Sequence, residues 1–428
     1  MAKVQKFPVG RKPGQAKIVL PDHVQVSLAE LAGSVKQGLL AFSVGVGLEV
    51  FRTLLDEDVN TVVGERGGWN PDRVANRHGE QPSSITLGGR KVAVTRPRVR
   101  SISGEELQLP TWGAFSGDDL LSEMAFDRMV NGLSTRNYEV GLEPVGDVDA
   151  KGTSKSAVSR RFEARTRLAL SELMSKDLSE LDICALFLDG EGVGDHTVVV
   201  ALAVDSKGNK HPIGLREGST ENEAVCTALL SDLIERGLDF SNGILLVLDG
   251  GKGLRAAVRK VFGSLGLVQR CRIHKQRNIL KHLPDHMKAG VRNKLAKAWA
   301  ERDPAKALSQ LQQLAHFLDD RHPGAASSLR EGMEETLTIT RLGIPTGLSK
   351  TLSSTNTIES MISISRTTMR NVKRWRNGKM AERWVAAGME VASKQFRKVN
   401  GHKQIPILTI ALAAHAKEVS PQADKIPA

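Results

Sequence analysis

Two apolar runs of strand length, each ending abruptly in aspartate and glycine, constrain this chain more than any other feature. Ile183 to Leu188 is an unbroken apolar run that stops at Asp189-Gly190, and Ile244 to Leu248 is another that stops at Asp249-Gly250-Gly251. A run apolar on both faces belongs inside a sheet covered on both sides, the usual setting of parallel strands in an α/β domain. An aspartate at the end of such a strand has a fixed backbone, and its carboxylate emerges at the open edge of the sheet. Taken singly, each aspartate reads as an ordinary turn residue. Together they form a candidate site.

The segments around them complete an α/β unit. Thr197 to Val204 and Lys210 to Leu215 read as strands joined across Ser206-Lys207-Gly208-Asn209. Thr220-Glu221-Asn222-Glu223 reads as a capping box opening a helix that closes near Gly237. A short helix with Leu254, Val258 and Val261 on one side follows Asp249, and Leu267-Val268 opens a fifth strand running into Cys271. Strand, strand, strand, helix, strand, helix, strand is similar to the element order of the ribonuclease H-like fold. That resemblance implies a mixed five-stranded sheet whose first and fourth strands are parallel neighbours about 4.8 Å apart. Asp189 and Asp249 would then end side by side, able to share one metal ion.

From residue 285 to 345 the pattern is helical only. Met287, Val291, Leu295 and Trp299 repeat every four residues, and Asp303-Pro304 starts a second helix whose Leu308, Leu311, Ala315 and Leu318 face one way. This reads as an all-α insertion. Gly343 to Ser354, rich in Gly, Ser, Thr and Pro, leads back to a final helix from about Thr355 to Trp375.

The N-terminal part is helical with a hairpin. Residues 22 to 66 carry helical spacing, with Leu39, Phe42, Val46 and Val50 on one face. Ser84 to Leu87 and Lys91 to Val94 are strand-like runs joined through Gly88-Gly89, a dipeptide suited to the positive φ of a tight turn. Arg96, Arg98 and Arg100 recur at period two and read either as a solvated edge or as a face for phosphates. Between Asp118 and Leu181 the pattern is helical again, and the segment from Ser154 to Arg161 opens its last helix with hydroxyl and basic side chains, as a DNA-reading helix does. Lys155, Arg160 and Arg161 are the DNA-binding candidates there.

Composition narrows the partner. Lysine and arginine number 60 against 48 acidic residues in 428, a net charge of +12, which suits a polyanion, nucleic acid ahead of an anionic membrane surface. Cys184, Cys226 and Cys271 lie far apart without a CxxC pair, so neither a disulfide framework nor a structural zinc site is expected, and a reducing cytoplasm fits. No run approaches the roughly 20 apolar residues of a bilayer span, so no membrane partner is expected.

Phosphoryl transfer on DNA uses a pair of divalent cations, and hard cations take carboxylate oxygens. Asp189 and Asp249 supply two ligands; a third is expected from the helix after the fifth strand, displaced late in the chain by the insertion. Glu359, in Asn356-Thr357-Ile358-Glu359-Ser360, is the preferred candidate over Glu334, Glu335 and Glu191. Its helix continues through Arg366, Arg370, Lys373 and Arg374, a basic track suited to phosphates.

These residues carry a family resemblance. Phe187-Leu188-Asp189-Gly190, the stretch from Glu221 to Gly237, Leu248 to Leu254, Gln269-Arg270-Cys271-Arg272-Ile273-His274-Lys275 with Arg277-Asn278, and Asn356 to Ser360 together resemble the bacterial Mutator-type insertion-sequence transposases. The hairpin around Arg77-His78-Gly79 and Lys91 to Arg100 is similar too. The resemblance implies a DDE transposase that recognises terminal inverted repeats, hydrolyses the strand at the element's end and joins the freed 3′ hydroxyl to target DNA. It implies a triad of Asp189, Asp249 and Glu359 with two Mg2+ or Mn2+ ions, at least a homodimer, and a place in the bacterial cytoplasm with the nucleoid. Its Cys-x-x-His motif falls on Cys271 and His274, which on their own read as a buried thiol and a hydrogen-bonding histidine. The family commonly carries a basic residue soon after the first aspartate, where this chain has Glu191 to His196.

The expected organisation is an N-terminal helical region with a β-hairpin over 1–115 and helix-turn-helix-like DNA-binding helices over 116–180. An α/β ribonuclease H-like catalytic domain follows over 181–284 and 355–400, interrupted by the all-helical insertion at 285–354, and 401–428 is a tail. Trp375 and Trp384 flank a basic stretch and read as helix-packing residues rather than base-stacking ones. The competing functions are a nuclease or resolvase of the same fold without strand transfer, an inactive transposase-derived DNA-binding protein, and a basic scaffold.

Overall fold

The computed structural model describes residues 38–68, 73–142, 149–218, 220 and 222–423. The described residues fall into two compact units, one within Met1–Ala125 and Thr135–Ser159, the other within Phe126–Ser134 and Arg160–Ala428.

In the first unit, α1 (Gly38–Val63) precedes the hairpin of β1 (Ala75–Leu87) and β2 (Arg90–Ser101), followed by the short β3 (Glu106–Leu107), α2 (Pro110–Ser116), α3 (Asp118–Val130) and β4 (Ala150–Lys151). The Gly88-Gly89 turn has φ of +58° and +80° at its two positions, so glycine is required there. The packed face of α1 is Leu48, Phe51, Leu55 and Val59 against Ile85, Val92, Val94 and Trp112. This differs from the expected face: Val46 and Val50 are only half-buried, and the side chains of Leu39 and Phe42, with residues 22–37, lie outside the described residues. Both hairpin strands run well beyond the apolar segments visible in the sequence, because polar residues with main-chain partners extend them. Arg96 and Arg98 both reach Glu106, at 3.3 and 2.7 Å, and Arg96 also lies over the Trp112 ring.

The helix α4 (Lys155–Ser175) begins in the first unit and continues into the second. The second unit is built on β5 (Ile183–Val193), β6 (His196–Asp205), β7 (Lys210–Gly218), α5 (Glu223–Glu235), β8 (Ile244–Leu248), α6 (Lys252–Phe262) and β9 (Gly266–Arg270). The five strands form one mixed sheet in the order β7-β6-β5-β8-β9. β5 is antiparallel to β6 and parallel to β8, and β8 is parallel to β9. The expected capping box is replaced by a single cap: the Asn222 side chain accepts from Val225 N at 3.0 Å, and Glu221 lies outside the described residues. Cys226, Leu229, Leu230 and Leu233 of α5 and Leu254, Ala257 and Val258 of α6 cover one face of the sheet.

A helical array follows: α7 (Arg272–Lys281), α8 (Asp285–Ala300), α9 (Pro304–Asp319), α10 (Pro323–Arg330), α11 (Thr338–Arg341) and α12 (Thr346–Leu352). Val291, Leu295, Leu311, Ala315, Leu318 and Leu329 share its separate apolar core. Asp303 starts α9 by accepting from Ala305 N at 2.9 Å, with Pro304 at the first helical position.

The chain then returns to the sheet as α13 (Asn356–Met369), which lies against β5, and α14 (Gly378–Ser393), which lies against β6 and β7. The sequence pattern suggested one helix through Trp375; instead α13 stops at Met369. The Asn371 side chain donates to the Gly132 carbonyl, and Asn377 caps the next helix by accepting from Met380 N at 3.0 Å, so both ends of the break are held by side-chain bonds. Residues 405 to 423, read from sequence as part of a tail, form α15 (Ile405–Ala423), with Ile405, Leu408, Leu412 and Ala416 buried. Burying those four residues offsets the ordering entropy that a tail would avoid. None of the helices among the described residues is long and apolar enough to cross a membrane.

Candidate active site

Asp189 and Asp249 leave neighbouring strands at matched positions. Ala185, Leu186 and Phe187 of β5 stand opposite Leu245, Leu246 and Val247 of β8, and the same register carried two residues further sets Asp189 opposite Asp249. Each carboxylate is held by its own turn. Asp189 Oδ1 accepts from Gly190 N at 2.9 Å and Asp249 Oδ1 from Gly251 N at 2.8 Å. Gly250 has φ +106°, and a Cβ there would collide with the Arg270 guanidinium, so this turn requires glycine on two counts.

Glu359 comes from the first turn of α13, where the unsatisfied N–H groups favour a negative charge. The Thr355 hydroxyl donates to Glu359 Oε1 at 2.6 Å, and His274 Nε2 lies 3.7 Å from the same oxygen. Thr355 is wholly buried; its N–H donates to Cys271 Sγ at 3.4 Å, and its Oγ1 lies equally far from that sulfur and from His274 Nδ1. A hydroxyl carries one hydrogen, and the short carboxylate contact takes it in preference to sulfur.

The charges are mutually felt. Burial pushes the Asp189 carboxyl up, the neighbouring Asp249 pushes it further, and Glu359 adds to this; the Gly190 N–H and His274 pull the other way, leaving it at about 6. The hydrogen bond with Cys271 raises the His274 imidazole above its ordinary range against the opposing effect of burial, with attraction to Glu359 and Asp249 adding to it. Burial pushes the Cys271 thiol up, but its hydrogen bonds with His274 and Thr355 outweigh this and leave it below the usual thiol range.

Among the described residues, no three His, Cys, Asp or Glu side chains are drawn together closely enough to hold one ion as they stand. The carboxylates are turned instead to Gly190, Gly251 and Thr355, which is where like charges settle when each finds a donor of its own. The donor set, oxygen only and with excess negative charge, suits a hard divalent cation rather than a soft one.

Glu191, two residues beyond Asp189, is 1% exposed. Arg366 of α13 closes on it through three contacts: Nε to Oε1 at 2.9 Å, Nε to Oε2 at 3.0 Å and Nη2 to Oε2 at 2.6 Å. Spacing along β5 made Glu191 a rival ligand, but its partner lies 175 residues away and no sequence signal named it.

The other expected contacts are dispersed. Lys155 and Arg160 are exposed on α4, and Arg161 is half-buried there. Arg370 is the exposed C-cap of α13 and packs over Gly132. Lys373 stands in the connection after the helix, not on a continuous basic track, because α13 ends before it. Trp384 is buried against Phe162, with ring centroids 4.4 Å apart; Trp375 packs on Gly194.

The segment from Gln269 to Lys275 ties the sheet to the helical array. Gln269 Nε2 donates to the Thr336 carbonyl at 3.2 Å and Gln269 Oε1 accepts from Ile339 N at 3.0 Å. Arg272 donates to the Thr336 and Trp299 carbonyls at 2.9 and 3.1 Å. Lys275, fully buried, donates to the Ser328 and Glu331 carbonyls. Period and charge alone mark these residues as solvated; their carbonyl partners, up to 67 residues away, are invisible locally.

Asp189 and Asp249 stand at the ends of two parallel central strands of a mixed α/β unit, and comparison with known proteins shows the family. The chain belongs to the Mutator family of transposases, whose sequence model matches residues 24–399. It is similar to the transposase for insertion sequence element ISRM5 of Rhizobium meliloti, with 26% identity over 73% of this chain and 77% of that protein. It is also similar to the transposase for insertion sequence element IS256 in transposon Tn4001 of Staphylococcus aureus, with 28% identity over 54% of this chain and 60% of the relative. The transposase for insertion sequence element IS1081 of Mycobacterium tuberculosis shows 28% identity over 49% of this chain and 51% of that protein.

Proposed function

We infer that this chain is a DDE-type DNA transposase on a ribonuclease H-like fold, cutting a DNA strand at terminal inverted repeats and joining its 3′ end to target DNA. The observation that supports the reading is the register of two adjacent parallel strands that sets Asp189 opposite Asp249, with the charge of Glu359, from a helix N-terminus, also felt at Asp189. The strand order with the parallel pair at its centre supports the ribonuclease H-like fold, and family membership supports transposition over simple hydrolysis.

Asp189, Asp249 and Glu359 would hold two Mg2+ or Mn2+ ions. When bound, such cations activate the attacking oxygen and stabilise the leaving one. The protein's own part is positional. The turn donors Gly190 and Gly251 fix the aspartates, Thr355 fixes Glu359, and His274 sets a polar group beside them. Lys155, Arg160, Arg161, Arg370 and Lys373 would meet the DNA backbone, and two copies of the chain would hold the two element ends.

The test is cleavage and joining of a duplex carrying the inverted repeats that bracket the gene, by the full-length protein with Mg2+. Asp189→Asn, Asp249→Asn and Glu359→Gln should each lower nicking by on the order of 10³-fold or more while binding persists. Full nicking by any of them removes that residue from the site. Nicking without joined products would instead favour a nuclease.

A further inference from the structure

We propose that Arg270 is a positioning residue for Asp249, carrying the placement of its turn from the helical array to the sheet and so setting how tightly the site takes a divalent cation. The proposal rests on the carboxylate reading given above and deepens it.

Arg270 ends β9 directly opposite Leu248 of β8. Paired residues on adjacent strands share a face of the sheet, so the Arg270 side chain emerges beside Leu248 and reaches the turn that follows it. Its guanidinium fills the space that a Cβ would take at Gly250, and also the space that a Cβ would take at Gly332, in the stretch 331–335 between α10 and α11. One side chain thus lies between two positions that have none, one beside Asp249 and the other in the helical array.

The far end of the fork is anchored. Nη2 donates to Glu331 Oε2 at 3.1 Å and Nη1 to the Glu331 carbonyl at 3.3 Å, and the Lys275 ammonium donates to the same carbonyl. A second tie runs in parallel: α6, which starts at Lys252 just beyond the turn, pairs its Arg255 Nε with Glu335 Oε1 at 2.6 Å. Both ties end in the one short stretch of the helical array.

The near end rests on contact alone. The Arg270 side chain is 4% exposed, and its Nε, against Gly250, has no hydrogen-bond partner among the described residues. A buried donor left unmet is costly, and a buried ion pair is a poor stabilising device where apolar side chains of similar volume often serve as well or better. Stability alone therefore does not select arginine here. What arginine supplies is a rigid plane that lies against a main-chain turn while its other edge is anchored by two donors. Gly250 joins Asp249 to Gly251, whose N–H holds the Asp249 carboxylate at 2.8 Å, so a shift of the guanidinium moves that carboxylate. Groups that orient a metal ligand from behind change metal affinity by about 10–100-fold when lost.

The experiment uses the full-length protein with Mn2+ as the probe, the bound ion being read by electron paramagnetic resonance in the absence of DNA. Arg270→Lys keeps the charge and loses the plane. Glu331→Gln, at a side chain 46% exposed, loosens the anchor without disturbing the core, and so decides the matter alone should Arg270→Lys fail to fold. Mn2+ affinity should fall about tenfold or more in Arg270→Lys and about threefold in Glu331→Gln. The double variant should bind like Arg270→Lys alone, since the two residues act through one contact. In cleavage of the inverted-repeat duplex the half-saturating Mg2+ concentration should rise by the same factors, while duplex affinity and the rate at saturating Mg2+ stay within about threefold of the parent. A residue that only supports the fold would lower the amount of active protein and leave the Mg2+ requirement unchanged. Parental Mn2+ affinity in Glu331→Gln or in a folded Arg270→Lys, or additive losses in the double variant, overturns the proposal. Asp249→Asn run in parallel separates the two readings: if it binds Mn2+ as the parent does, the carboxylate site itself is wrong, whereas loss of Mn2+ in Asp249→Asn beside parental binding in Glu331→Gln rejects only the role of Arg270.

Discussion

Thr355 donates its hydroxyl to Glu359 Oε1 at 2.6 Å, four residues earlier in the chain and buried beneath the side chain it orients. Thr355 also ties this helix to the buried Cys271, whose Sγ accepts from its N–H at 3.4 Å, and sets its Oγ1 3.4 Å from His274 Nδ1. Thr355→Val keeps the shape and removes the donor. It should slow DNA cleavage by up to about 10²-fold, and Thr355→Ser should restore most of the rate. Equal rates for Val and Ser would assign the residue to packing alone.

Asp189 is held where its charge is unwelcome. With its carboxyl raised to about 6, the folded chain binds that proton more tightly than the unfolded chain does. Its contribution to stability is therefore present below about pH 4 and is lost as the pH rises toward 6. Asp189→Asn should accordingly be more stable than the parent at pH 7 in a chelator, by about 1–3 kcal/mol. Millimolar Mg2+ should narrow or reverse the order, because only the parent gains a bound cation. Melting curves with chelator and with Mg2+ decide this.

Lys275 gives the opposite sign at higher pH. Burial lowers its ammonium to about 8, while the unfolded chain keeps the proton up to about 10.4. Stability should therefore rise with pH between these two values. Urea unfolding at pH 7.5 and 9.5 should show the advantage of the parent over Lys275→Met growing with pH; a constant difference would contradict the burial of the charge.

Gly250→Ala should be costly for its size. A positive φ is strained for any side chain, and the added methyl would displace the Arg270 guanidinium. A loss of at least about 2 kcal/mol is expected, read from denaturant midpoints. Gly263→Ala, with positive φ but open space around it, should lose less.

The strands bearing the two aspartates were legible because an unbroken apolar run can be satisfied in few ways. Ile244 to Leu248 was bounded correctly to the residue, since polar residues fence it on both sides. Hairpin lengths were not legible, because main-chain pairing continues through residues such as Arg77 and Gln81 whose side chains carry no strand signal. The end of α13 was missed for a related reason: the bond from Asn371 to the Gly132 carbonyl and the packing of Arg370 over Gly132 join segments more than 200 residues apart. Glu191 was visible as an acidic residue on the right strand face, yet its burial under Arg366 depends on how α13 crosses β5. Local pattern finds elements and candidate ligands; it does not find which charges are spent on one another.

β8 is buried at all five positions. Its apolar pattern is the same on either face, so hydrophobic burial alone would tolerate sliding by one residue, a slip that turns every side chain over. The alignment of the two aspartates must then be fixed at the strand's end, by Gly250 seated against Arg270 and by the Cys271 N–H donating to the Leu248 carbonyl at 2.7 Å. A glycine and one main-chain amide, neither able to touch DNA or bind an ion through a side chain, act as the detent that keeps the acidic pair in step.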